Sequence, residues 1–192
     1  MKMKRAYTLK KRAESQAETR LRIVEAAVEL HTEVGPARTT FSMVAERAGV
    51  QRHTLYAHFP DERSLLMACS GHDLEQNPLP DAASWQKIQD RDERLRVALV
   101  ELYEWNARKE QLAASVLRDA EIVPLVQDIV RIRWAPYFKT YHEVLGEKRS
   151  TKQRAMLGLA LSFHTWRTLA RESGLSTVAA AQMMTQAVIS AN

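Results

Sequence analysis

Thr39 to Phe59, TTFSMVAERAGVQRHTLYAHF, constrains this chain more than any other stretch. Phe41, Val44, Ala45 and Ala48 fall at i, i+3, i+4 and i+7, and Leu55 and Phe59 recur one turn apart after Gly49-Val50. Two short amphipathic helices meeting at a glycine predict a helix-turn-helix. Thr40 suits the N-cap of the first helix, because its hydroxyl accepts an otherwise orphaned backbone N–H, and Gln51 or Arg52 opens the second. Gly49 tolerates the left-handed conformation a tight turn needs, and Leu55 is placed to pin the second helix onto the first.

Such a pair is either a helical hairpin inside an all-α domain or a reader of DNA. In the second case the second helix enters the major groove with its first turns toward base edges. It would offer Arg52, His53, Thr54, Tyr56 and His58. Arg52 can pair in bidentate fashion with guanine, Thr54 can present a methyl to thymine, and Tyr56 and His58 have the reach for phosphate.

A wider order of segments bears on the choice. ETRLRIVEAAVELHTEVG, then TTFSMVAERAGV, then TLYAHF, then PDERSLL resembles the TetR family of transcriptional regulators over nearly fifty residues. The TLYAHF run is the most specific part of the match. The resemblance implies a three-helix DNA-binding head on an all-α body that binds a ligand and dimerises. Three positions depart from the family pattern: His31 in place of a phenylalanine, Pro36 in place of an aromatic, and Glu62 in place of a phosphate-touching lysine, with Arg63 beside it.

Charge is distributed in keeping with that reading. Lys2, Lys4, Arg5, Lys10, Lys11 and Arg12 face no acid within residues 1–12, although the whole chain carries only +5. A basic arm next to a groove-reading helix, with Lys10, Lys11 and Arg12 nearest to it, can follow phosphates and release their counterions. The bland alternative is a solvated tail. Composition is otherwise that of an ordinary globular protein, with 45% hydrophobic and 27% charged residues. The lone Cys69 forms no internal disulfide and fits a reducing cytoplasm, and no apolar run has the length of a membrane span or a signal peptide.

Along the chain, helices are predicted over residues 14–34, 61–75, 90–109, 111–120, 123–145, 151–172 and 176–190, besides the central pair. Gly35-Pro36 stops the first, residues 76–81 with two prolines separate head from body, and Pro136 should bend the long body helix or free one of its carbonyls. The expected organisation is a basic arm at 1–12, a helix-turn-helix domain at 13–60, and a ligand-binding and dimerisation domain at 61–192. The helix from Asp61 links head and body.

Aromatic residues collect in the body, and Trp105, Trp134, Phe138, Tyr141, Phe163 and His164 are the candidate ligand-binding set, although aromatics at helical spacing also simply fill cores. Small residues mark the last two helices. Ala155, Leu159 and Phe163 on one and Ala180, Met184 and Ala187 on the other are the candidate dimer contacts, in the region where the resemblance also puts them.

His72, His142 and His164 lack the spacing of a metal site, and no nucleophile elbow or phosphate-cradling loop is present, so neither metal, cofactor nor catalysis is expected. The fold class is all-α. The expected function is a homodimeric regulator, a repressor released from a palindromic double-stranded operator by a small apolar or aromatic effector. A helical carrier or enzyme without sequence-specific DNA binding would need the body but not the basic head.

Overall fold

The computed structural model describes residues 2–191, with side chains from Lys11 onward. Ten α-helices follow one another and no strand occurs among the described residues: α1 Lys2–Glu33, α2 Phe41–Arg47, α3 Arg52–His58, α4 Glu62–Gln76, α5 Ala82–Gln86, α6 Arg91–Ala120, α7 Pro124–Leu145, α8 Thr151–Ala160, α9 Phe163–Arg167 and α10 Thr177–Ser190. A 3₁₀ turn occupies Pro36–Arg38 and a π-helical turn Thr168–Glu172. No helix among the described residues is long and apolar enough to cross a membrane.

The chain divides into two compact units, Met1–Asn77 with Ala114–Val130, and Pro78–Ala113 with Arg131–Asn192. In the first unit, α1 starts well before Glu14 because nothing between Lys2 and Glu33 is glycine or proline, and Lys, Arg, Ala, Glu and Gln all favour helix. Its buried face is Ile23, Val24, Ala26, Ala27, Leu30 and His31. Gly35, at φ 91°, ends the run, and a Cβ there would run into an Asp119 carboxylate oxygen. Asp119 is only 1% exposed and accepts from the Ala37 N–H at 2.9 Å, which fixes the turn leading into α2. Asp61 and Ser64 form a reciprocal capping box at the start of α4, and Leu65 and Cys69 on that helix join the core of α1, α2 and α3.

In the second unit, Asp81 caps α5 by accepting from Ala83 N at 2.9 Å, a short helix that residues 76–89 did not announce. Residues 91–120 form one helix rather than two: the polar stretch Arg108–Gln111 contains no breaker. The α7 helix continues through Pro136, which is exposed. The expected single helix over 151–172 is broken, because Ser162 takes an extended conformation and caps α9 by accepting from His164 N. The π turn then follows, closed by Ser173 N to Thr168 O at 2.9 Å. Tyr103 is buried and donates to Ala160 O at 2.9 Å, and burial holds its phenol far above the ordinary tyrosine range.

Candidate nucleic-acid interface

The site is built from the turn outward. Thr40 accepts from Met43 N at 3.2 Å and so caps α2, as its sequence position predicts. Gly49 at φ 64° and the Val50 N–H to Ala45 carbonyl bond of 2.9 Å make the turn. Gln51, extended and exposed, is the N-cap residue of α3, without a side-chain bond to the helix. Val44 and Leu55 are fully buried, so α3 is seated on α2 through Leu55 and shows the opposite face to solvent.

Three arginines that the sequence reading did not single out hold this pair against α1. Arg20 donates to His58 O at 3.0 Å and lies over the Phe59 ring at 4.1 Å. Arg22 reaches the Ala48 carbonyl at 3.4 Å, and Arg47 makes a fork-like pair with Glu33 at 2.7 and 2.9 Å, with Glu29 at 3.2 Å. Two of these bonds end on backbone carbonyls 26 and 38 residues away, a partnership with no sequence signature.

The exposed face of α3 stands between two grooves. One, of about 620 Å³, is walled by His53, Thr54, Ala57 and His58 of α3 and by Lys11, Arg12, Ser15, Gln16 and Thr19 of α1. Residues 12, 15, 16 and 19 form one helical face, legible only once α1 is known to run through the basic segment. The other groove, of about 790 Å³, is lined by Arg52 and Tyr56 together with Thr40, Ser42, Glu62 and Arg63. Tyr56 is 46% exposed and packs its ring 5.1 Å from that of Phe41. Arg63 is paired with Asp128, so the cation beside Glu62 is already engaged. Of the ten residues expected to meet DNA, Lys10 lies outside the described side chains, Gln51 is exposed at the start of α3, and the other eight line the two grooves.

The remaining expected residues lie in the second unit. Trp105 is buried with its ring 6.0 Å from that of Trp134; Phe138 packs at 5.5 Å on Tyr141, which in turn packs at 4.7 Å on Trp85; Phe163 touches both Trp166 and the exposed His164. The six therefore belong to three groups of rings. Of the dimer set, Ala155 and Leu159 are exposed and Ala187 is partly so, whereas Phe163, Ala180 and Met184 are buried within the chain. Ala180 has no exposed surface in the single chain, and its helix α10 packs on α8. Exposed apolar side chains on these helices are Leu159, Val178 and Met183, each between 45% and 56% exposed.

Residues 23–69 match the profile of bacterial regulatory proteins of the tetR family. The chain is 34% identical over 85 residues to the HTH-type transcriptional regulator SrpR of Pseudomonas putida, a match covering 41% of this chain and 40% of SrpR. It is 44% identical over 55 residues to the HTH-type transcriptional regulator TtgR, also of Pseudomonas putida, covering 29% of this chain and 26% of TtgR. The chain thus spans less than half the length of each of these two relatives. In fold, it is similar to the transcriptional regulator FadR of Bacillus subtilis, with a TM-score of 0.61 at 21% identity over 90% of this chain and 98% of FadR. A helix-turn-helix seated between two grooves thus lies on residues that carry the profile of the TetR family of transcriptional regulators.

Proposed function

We propose that the chain is a homodimeric repressor that leaves a palindromic operator when a small, largely apolar or aromatic effector binds its second unit. The observation that carries the DNA half is the placing of α3: its polar face is free, and the flanking grooves offer Lys11 and Arg12 on one side and Arg52 and Tyr56 on the other. That arrangement suits a helix lying in the major groove while its flanks meet the two phosphate strands. Reading two half-sites one helical turn apart requires two copies, and the exposed Leu159, Val178 and Met183 on neighbouring helices are apolar surface suited to a second copy.

The effector half rests on the ring groups around Trp105, Trp134 and Phe138 and on two buried donors, Asn106 Nδ2 and Trp166 Nε1, that have no hydrogen-bond partner among the described residues. An orphaned buried N–H is costly, so an effector carrying a carbonyl or ester oxygen beside an apolar body fits these donors. FadR, similar in fold, was crystallised with stearoyl-CoA, a ligand with such a carbonyl and a long apolar chain. The effector must bind the released state better than the DNA-bound state, and operator DNA must then weaken effector binding by the same factor.

The test is selection of bound sequences from random duplex DNA at about 0.15 M salt, where non-specific phosphate binding is suppressed. Enrichment of a palindrome with half-sites about 34 Å apart supports the reading. Folded protein that enriches no sequence would refute it and favour a helical carrier.

A further inference from the structure

A cavity of about 130 Å³ lies within the first unit, under the start of the helix-turn-helix, and shares no residue with the aromatic groups of the second unit. Its walls are mainly apolar, from Val44 of α2, Leu65 of α4, and Leu125 and Val126 of α7. Thr40, the cap of α2, His31 of α1 and the acidic Glu62 of α4 line it as well. An apolar cavity of about 150 Å³ in a protein interior accepts benzene, so this one is of the size for a single six-membered ring.

His31 is 6% exposed, and its Nδ1 lies 3.6 Å from Cys69 Sγ. Among the described residues Cys69 is the only hydrogen-bond partner of the ring, which leaves Nε2 without one, on a residue that lines the cavity. If Nδ1 carries the proton Nε2 accepts, and if the Cys69 thiol donates to Nδ1 then Nε2 donates. A hydroxyl satisfies either tautomer, because it both donates and accepts. An anion does not fit: the apolar walls penalise its charge, and burial keeps His31 neutral.

We infer that the head holds a second small-molecule site, formed by α1, α2, α4 and the start of α7, that takes a neutral, ring-sized molecule with one hydroxyl, of the phenol class, hydrogen-bonded to His31. An occupant touches at once the cap of α2 and the Leu125–Val126 stretch, and so braces the start of the helix-turn-helix; Thr40, Glu62 and Leu125 also line the groove that holds Arg52 and Tyr56.

The probes are phenol, benzene and benzoate, titrated into the full chain and followed through the His31 ring nitrogens and the backbone amides of Thr40 and Val44 by NMR. Phenol should give saturable shifts at all three positions and bind roughly fivefold more tightly than benzene, the worth of one hydrogen bond of about 1 kcal/mol; benzoate should give none. His31→Leu should bring phenol and benzene to equal affinity, and Leu125→Phe, which adds a ring at the half-buried edge of the cavity, should abolish both. No saturable shift at His31, equal affinity for phenol and benzene in the unmodified chain, binding of benzoate, or undiminished binding by Leu125→Phe would each overturn the assignment. The phenol-to-benzene ratio in the unmodified chain needs no variant to fold.

Discussion

Acidification provides a quantitative test of the core beneath the helix-turn-helix. His31 is buried between α1 and α4, and burial drives its pKa from 6.5 to about 4, against an opposing pull from Asp119. A lowered histidine pKa means that the unfolded chain binds a proton between pH 6.5 and 4 that the folded chain refuses. Stability therefore rises with pH across that window; the contribution is fully present above 6.5 and falls as the pH drops toward 4. Each unit of pH is worth about 1.4 kcal/mol at full effect, so His31 alone should remove about 2 kcal/mol between pH 7 and pH 5. The comparison is urea unfolding of the unmodified chain and of His31→Leu at both pH values, read by far-UV circular dichroism. All four tryptophans lie in the second unit, so tryptophan fluorescence follows that unit separately. The variant should lose about 2 kcal/mol less than the unmodified chain on going to pH 5. Carboxylates held low by their partners, such as Glu33 hydrogen-bonded to Arg47, are common to both proteins and cancel in the difference. Identical pH dependence in the two would refute a neutral, buried His31.

Other expectations concern the DNA face and the turns. Arg52→Ala should cost on the order of 1–3 kcal/mol of operator binding and relax preference at one base position in a selection experiment; a uniform loss over all sequences would place Arg52 on phosphate. Replacing Lys11 and Arg12 together by glutamine should lower the slope of log affinity against log salt by up to about 1.8 without altering the preferred sequence. Gly49→Ala should cost about 1–2 kcal/mol by thermal unfolding, the ordinary penalty of a left-handed conformation, since nothing stands within 4 Å of its missing Cβ. Gly35→Ala should cost more, because there the added carbon meets the carboxylate of Asp119 as well; equal losses at the two glycines would show that the turn shifts freely.

The helix-turn-helix was legible because its determinants are local. Thr40, Gly49 and the apolar positions from Phe41 to Phe59 act within 21 residues of one another, and each has a direct physical reason for its place. What holds that pair in position was not legible: Arg20 and Arg22 act on the carbonyls of His58 and Ala48, and a carbonyl has the same appearance in every residue. Boundaries failed in both directions for the same cause. A polar stretch such as Arg108–Gln111 looks like a gap, yet without glycine or proline the helix continues; Ser162 looks innocuous within an apolar run, yet its hydroxyl starts a new helix. Burial also sorted the small residues in a way composition could not, putting Ala180 inside the chain and Ala155 outside. The arginine beside Glu62 was visible in the sequence, but its partner, Asp128, lies 65 residues further on.

The first unit needs both Met1–Asn77 and Ala114–Val130. A ribosome that has just released Asn77 has made the whole helix-turn-helix but neither Asp119, which fixes the turn before it, nor Leu125 and Val126, which lie over Leu65 and His31. At about 5–20 residues per second, the roughly fifty residues still to be added take about 3–10 s, a long interval beside the folding time of a small helical domain. Throughout it the nascent head shows an uncovered apolar surface, which makes this stage of synthesis the one most exposed to chaperones and to aggregation. For the same reason, a gene fragment ending after α4 encodes every residue of the expected DNA-reading face and still leaves out part of the core on which that face rests.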